Sequence, residues 1–428
     1  MITDQTACCL SSHILGRMSK TFNPLFFHFA AAALTAVVSV QACLLPTVCL
    51  AAEPAPAAAA SNGLSPLESQ FLTPPTQVTL GMPKAGEGYF SPDMRRICYQ
   101  AVPADYPFYQ IFVQPFDAAA PRPGMPVRIS TGRGRTTCSW FAPDGKRLLF
   151  ASSHLDPQLD ATESAARAQA EEDRKTGRRR RYQWDFDPQT DIFVANLQPA
   201  AGEGNGLVQL THEPGYDAEC SFSPDGKQIL FVSDRDGDPD IYVMDADGGN
   251  IRQLTNQPGY DGGPFFSPDG RWIAYRTDRL EKDMLQIHVM KADGSGDMAI
   301  TSGQGVRWAP YWHPTKPWLI WTGADHSDPA KRPNYDLWIA RYATTGDGDG
   351  AAEGHAGLRT GLPLRITDHE GADVLPAFSP DGTLLMWTAS RGGEGGGRAA
   401  TSQLWVSRID ATAIDAALEP VAEGASHP

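Results

Sequence analysis

The chain is poor in cysteine and in positive charge, and it lacks the common short catalytic signatures. Of seven cysteines, Cys8, Cys9, Cys43 and Cys49 lie in or before an apolar N-terminal stretch, leaving Cys98, Cys138 and Cys220. An odd number of widely spaced cysteines supplies no disulfide framework, so core packing is their expected role. No C-x-x-C metal pattern follows residue 52. A net charge of −14 denies the chain a general basic surface for nucleic acid. No G-x-S-x-G occurs, which argues against a peptidase built on that serine motif, and no Gly-rich phosphate loop leads from a strand into a helix. Long apolar runs are missing except at residues 25–52, which are almost unbroken apolar and small and are preceded by Arg17 and Lys20.

That run reads as an export signal over residues 1–52. Three outcomes stay open: cleavage after Ala51 or Ala52, lipidation of Cys43 at the box Val40-Gln41-Ala42-Cys43, or retention as a membrane anchor. All three place the remainder outside the cytoplasm. Residues 53–75 are Ala/Pro-rich and read as a linker, and 411–428 as a frayed, disordered tail.

What the chain does have is a repeat. Residues 217–255 read DAECSFSPDGKQILFVSDRDGDPDIYVMDADGGNIRQLT. Four short β-rich runs alternate with turns built on Pro, Asp and Gly, the pattern of a four-stranded antiparallel meander. The aromatic residue that ends the first run, with its turn, recurs at Phe90, Phe141, Phe222, Phe266, Trp312 and Phe378. The third run recurs from Gln110, Asp191, Asp240, Gln286, Asp336 and Gln403. The last apolar residue of a fourth run stands 12 before the next aromatic, as in 222 − 210 for Leu210 and Phe222. Val78 stands the same 12 before Phe90, so residues 77–80 supply the outer strand of the last repeat and close the ring. The expected fold is all-β: a six-bladed β-propeller of four-stranded antiparallel blades over residues 76–410.

The F-S-P-D-G turns, the loop Ser233-Asp234-Arg235-Asp236-Gly237 and the strand beginning Asp240-Ile241-Tyr242-Val243 resemble the repeats of the TolB-like propeller family. The resemblance covers roughly residues 76–410. It differs from TolB itself in that a short linker stands before Val78 where an α/β domain is expected.

Strand direction sorts the loops. The S-P-D-G turns lie on one face, called lower. The loops between second and third strands lie on the upper face, with a long insertion at 153–183 in blade two. Residues 161–174 have helix-forming composition, with Asp160 or Thr162 as candidate N-caps. The long connection 344–361 in blade five reads as mobile.

Five residues before each aromatic stand Ala85, Thr136, Asp217, Asp261, Arg307 and Asp373, the expected ring at the channel mouth. Asp217, Asp261, Arg307 and Asp373 are the candidate binding residues there, with a cation in the ring as a candidate and no other cofactor expected; capping of strand ends explains the same carboxylates. On this reading, reversing Asp261 and Asp373 weakens binding and leaves stability unchanged. The upper rim adds Arg235, Asp278, Arg279, His326 and Arg391, and the basic run Arg178, Arg179, Arg180 and Arg181. The loop Asp234 to Asp240 lacks the ligand order of an EF-hand and reads as a hairpin loop. His313, at a lower turn position held elsewhere by Ser or Ala, reads as structural. The resemblance implies an exported, non-catalytic scaffold that binds an envelope protein or a glycan over the channel mouth. A carbohydrate-active enzyme or sugar-binding protein using that mouth is the alternative.

Overall fold

The computed structural model describes residues 63–178, 186–198, 206–328, 330–345, 357–391 and 401–421. Six antiparallel sheets follow one another along the chain and form the six-bladed ring. The innermost strands are Lys84–Phe90, Thr136–Phe141, Asp217–Phe222, Asp261–Phe266, Gly305–Trp312 and Asp373–Phe378. The last sheet takes its outer strand from the other end of the chain: Thr76–Gln77 pairs with Gln403–Arg408, with Thr76 opposite Val406 and Gln77 opposite Trp405. A closing strand is present as expected, but it spans Thr76–Gln77, starting one residue before the expected 77–80 and ending three earlier.

The repeated turn is a small hydrogen-bonded unit, which explains its composition. The Ser223 hydroxyl donates to Asp225 Oδ1 at 2.7 Å and accepts the N–H of Gln228, the first residue of the next strand, at 3.0 Å. The Asp225 carboxylate accepts the N–H of Lys227, and Gly226 takes φ 71°, which only glycine adopts cheaply. Blade five replaces the serine with His313. Its Nδ1 accepts the N–H groups of Thr315 and Lys316, and its Nε2 donates to the Gly382 carbonyl. Burial pushes His313 down to about 4, so it stays neutral and structural, as its position implied.

A second repeated device clasps each outer strand. The first residue of the third strand, Asp or Gln, accepts a hydroxyl from the second residue after the outer strand. The pairs include Gln110 with Ser130, Asp191 with Thr211, Asp240 with Thr255 and Gln286 with Thr301. In the last blade Gln403 accepts from Thr79 at 2.8 Å, so the same clasp bridges the two ends of the ring.

Every innermost strand carries a bulge. The residue three before the aromatic has positive φ in all six blades: Glu87 (48°), Cys138 (55°), Glu219 (52°), Gly263 (57°), Ala309 (52°) and Leu375 (57°). Five of the six are not glycine, so the ring geometry imposes a backbone state that side chains disfavour. In blade three the pairing passes from Ala218↔Val232 to Ser221↔Leu230, leaving an extra residue on the inner strand.

Three segments differ from the sequence reading. Residues 63–75, expected as linker, lie against the last blade: Leu72 bridges Ile409, and Phe71 and Leu72 are buried in its core. Residues 411–417, expected as frayed tail, form the helix Ala411–Ala417, capped by Asp410. Its Ile414 is fully buried, and its Asp415 accepts from Trp318 Nε1 at 3.1 Å and from Arg341 at 3.0 Å. Blade five extends its third strand over Asp336–Thr345, and Gly357–Thr360 pairs with that extension; residues 346–356 of the connection read as mobile lie outside the described residues. The reading of 1–52 as a signal, and of the segment before the ring as lacking an α/β domain, also falls largely outside them. Among the described residues no helix is long and apolar enough to cross a membrane.

Candidate functional site

The bulge decides what faces the ring axis. With one extra residue inserted, positions five and one before the aromatic point to opposite faces of the sheet: their partners in blade three, Ser233 and Leu230, are three apart. The axis is lined from positions three and one before the aromatic.

The position next to the aromatic supplies Tyr89, Trp140, Phe265 and Tyr311 from blades one, two, four and five. All four rings touch. Their centroids are 4.6 Å apart for Tyr89 and Trp140, 5.1 Å for Trp140 and Phe265, and 5.7 Å for Phe265 and Tyr311. Tyr89 also reaches Phe265 at 6.0 Å, and Trp140 reaches Tyr311 at 6.0 Å, each across the axis from the opposite blade. The quartet plugs the channel. Above it lies a cup of about 2330 Å³, open at the upper face, whose wall includes all six bulge residues.

The polar part of the cup sits just over the plug. Glu219 is buried and fully engaged. It accepts the Tyr260 hydroxyl at 2.9 Å, the Gly263 N–H at 2.7 Å and Arg276 Nη2 at 2.7 Å. Arg276 also donates to the Tyr260 oxygen and lies over the Trp308 ring. Gly263 is required here for a second reason: a Cβ would stand 2.3 Å from Arg276 Nη1. Glu87, on the facing wall, is 8% exposed. Burial pushes its carboxyl up to about 7, with hydrogen bonds from Cys138 and Tyr89 and the charge of Arg276 opposing the shift. The Cys138 and Cys98 thiols are buried, free and themselves pushed upward by burial, Cys98 to about 12.

The residues singled out from the sequence divide into groups. Asp278, Arg279 and His326 line the cup; the His326 ring pairs with the Tyr335 hydroxyl at 3.1 Å. Asp217, Asp261 and Asp373 are at most 1% exposed, and each meets an arginine 18 residues later. Asp217 binds Arg235 at 3.0 Å, Asp261 binds Arg279 at 2.7 Å, and Asp373 binds Arg391, which also holds Glu68. These pairs tie the start of each inner strand to the loop after the second strand. Burial nevertheless pushes Asp217 and Asp373 upward from the ordinary aspartate value, against the pull of their arginines. In blade five the signs are exchanged, with half-buried Arg307 attracted by Asp325. The expectation that reversing Asp261 and Asp373 leaves stability unchanged does not fit these placements, because both carboxylates are desolvated counter-ions within the ring.

The insertion in blade two forms the helix Leu159–Thr176, longer than the 161–174 expected, and ends at Gly177 in the left-handed region. Neither Asp160 nor Thr162 caps it. Asp156 takes the Gln158 N–H and the Thr162 hydroxyl instead. Glu163 anchors the helix to the ring, accepting from Arg133 at 2.8 Å and from the Tyr106 hydroxyl at 2.6 Å. Arg178 is exposed just past its end; Arg179, Arg180 and Arg181 lie outside the described residues. The acidic loop of blade three brings Asp236, Asp238 and Asp240 within 4.8 Å of one another, where Gln253 donates to Asp236 and Asp240.

Residues 177–255 and 236–331 match the family described as the TolB beta propeller domain. Those matches span the repeats of the middle blades, and the same turn, clasp and bulge continue around the ring. The chain is a six-bladed β-propeller whose middle blades match the TolB propeller family. The Tol-Pal system protein TolB of Bordetella pertussis is 47% identical to it over 51 residues, which is 12% of this chain and 12% of that protein. The structure of TolB from Acinetobacter baumannii covers 77% of the TolB-like chain and 64% of its own, at 16% identity and a TM-score of 0.46. Oligogalacturonate lyase from Vibrio parahaemolyticus covers 78% and 80%, at 11% identity and a TM-score of 0.45. Structural likenesses of this size carry no functional information.

Proposed function

We propose that this TolB-like propeller is an exported scaffold of the cell envelope that receives a segment of a partner protein in its cup. The blind, wide cup carries the reading. It is closed below by aromatic rings, open above, and walled by apolar and charged side chains together, the composition expected of a recessed protein-binding surface. The rim offers charges of both signs, with exposed Lys282 and Arg332 beside Asp278 and Glu370. The short stretch of high identity to a protein named for the Tol-Pal system supports an envelope assembly as the setting. A glycan in the same cup is the second reading, supported by the aromatic floor lying beside the Glu87 and Glu219 carboxylates.

In-cell photo-crosslinking separates these. Leu280 lines the cup and is 73% exposed, whereas Lys227 lies on the lower face. A photoreactive residue at 280 is expected to capture one discrete protein that a probe at 227 does not, and Lys282→Glu with Arg332→Glu is expected to abolish the adduct. Equal capture from both faces overturns the proposal. Loss of all protein adducts in a folded, exported chain does so too and favours the glycan.

A further inference from the structure

Most buried carboxylates near the upper face are matched to cations; Asp240, held by the Thr255 hydroxyl and Gln253 in its strand clasp, and Glu87 inside the cup are not. Asp217, Asp261 and Asp373 have their arginines, and Glu219 has Arg276. Glu87 is also buried, at 8% exposed, and makes no ion pair among the described residues. Its hydrogen-bonding neighbours are the neutral Cys138 and Tyr89. Arg276 attracts it through space but is bonded to Glu219 and the Tyr260 hydroxyl. Its backbone is held too: the Glu87 N–H donates to Thr388 Oγ1 at 2.8 Å, in a strained conformation with φ 48°. The carboxylate is therefore fixed in the wall of an open cup with the aromatic quartet directly below.

Removing a carboxylate from water without a counter-ion is costly, and the group responds by holding its proton. An ammonium or guanidinium group entering the cup supplies the counter-ion and meets aromatic faces that favour a cation. The geometry points to the cup floor as a receptor for one cationic side chain, a lysine or arginine carried by the inserted segment, with Glu87 as its counter-ion and Trp140 and Tyr89 as its aromatic seat. This rests on the scaffold reading for the source of the cation, but the floor is testable by itself.

The groups facing Glu87 are Tyr89 from its own strand and Cys98, Cys138, Cys220, Glu219 and Arg276 from the neighbouring ones. Burial keeps the three thiols neutral through the physiological range. Because burial pushes the Glu87 carboxyl up to about 7, a bound cation must draw it down, and binding must release a proton below that pH. Affinity then weakens as pH falls.

The test uses the whole chain with N-acetyl-lysine methylamide as probe and N-acetyl-norleucine methylamide as its neutral isostere, read by tryptophan fluorescence and calorimetry. The lysine probe is expected to bind and the isostere to bind at least tenfold more weakly. If Glu87 must be ionised, affinity falls on the order of fiftyfold from pH 7 to pH 5. Glu87→Gln is expected to flatten that pH dependence and to cost about tenfold or more at pH 8. Carbon-13 NMR of the glutamate carboxyls in the unsubstituted chain adds a readout independent of the variant's folding: one carboxyl whose titration midpoint lies near pH 7 should titrate at lower pH when probe is added. Equal binding of the isostere, an unchanged pH profile in Glu87→Gln, or no binding of the lysine probe overturns the assignment. If the floor fails while the adduct from position 280 persists, the scaffold stands and the cation receptor does not.

Discussion

Single residues in this ring are constrained by backbone geometry before chemistry. Position three before each aromatic is left-handed in every blade, yet its occupants are Glu, Cys, Glu, Gly, Ala and Leu. Where nothing crowds the site, a side chain there is a cost that glycine relieves. Ala309→Gly is expected to stabilise the protein by up to about 1 kcal/mol, the unfolded-state entropy of glycine offsetting part of the gain. Gly263→Ala is the opposite case. The new methyl meets the Arg276 guanidinium at 2.3 Å and strains a φ of 57°, so a loss of about 1–3 kcal/mol is expected. Urea denaturation of both variants checks the pair, and equal signs refute the account. The aromatic quartet was open to view in the sequence, as the residue immediately before each turn aromatic: Tyr89, Trp140, Phe265 and Tyr311. Its inward direction was not legible there, because it depends on the bulge, which an unbroken strand lacks.

At the level of elements, the recurring carboxylate–arginine pairs join an inner strand to the loop that follows its neighbour. Their charge is structural because both partners are withdrawn from water: Asp261 is 0% exposed and the Arg279 side chain 14%. Removing Asp261 leaves the largely buried Arg279 with Asp297 as its remaining counter-ion. Asp261→Ala is expected to cost about 1–3 kcal/mol, whereas Lys227→Ala, which removes the exposed pair with Asp225, should cost less than about 0.5 kcal/mol. Thermal and denaturant unfolding measure both, and a neutral Asp261→Ala would return that carboxylate to the list of binding residues. The step of 18 was also legible, as Asp217 to Arg235, Asp261 to Arg279 and Asp373 to Arg391, but its sense was not. A sequence lists a carboxylate and an arginine on the same face without saying that each neutralises the other. The two helices show the same limit. Composition marked the helix of blade two, while the helix Ala411–Ala417 is short and held by tertiary contacts of Ile414 and Asp415.

For the whole molecule, closure is the decisive interaction. The clasp between Thr79 and Gln403 links residues 324 apart, and Thr79 Oγ1 also accepts the Leu404 N–H at 3.0 Å. Thr79→Val should lose about 1–3 kcal/mol and raise amide exchange along Gln403–Arg408, exposing an edge prone to pair with another chain. Thr255→Val removes the equivalent clasp inside blade three and should lower stability without opening the ring. Hydrogen exchange with size-exclusion chromatography distinguishes them, and matching exchange patterns would count against a special role for closure.

The sequence by itself determined the blade count, the strand order, the turn chemistry and the closing strand near Val78. Those features depend on local propensity and a constant spacing, and both survive in a linear string. Which side chains face the axis was decided only in three dimensions. One extra residue in each inner strand exchanges the faces, sending Asp217, Asp261 and Asp373 into buried pairs and bringing Glu87 and Glu219 to the cup. A bulge formed by glutamate, cysteine or leucine carries no signature of its own, because the force that creates it is the packing of six blades around one axis.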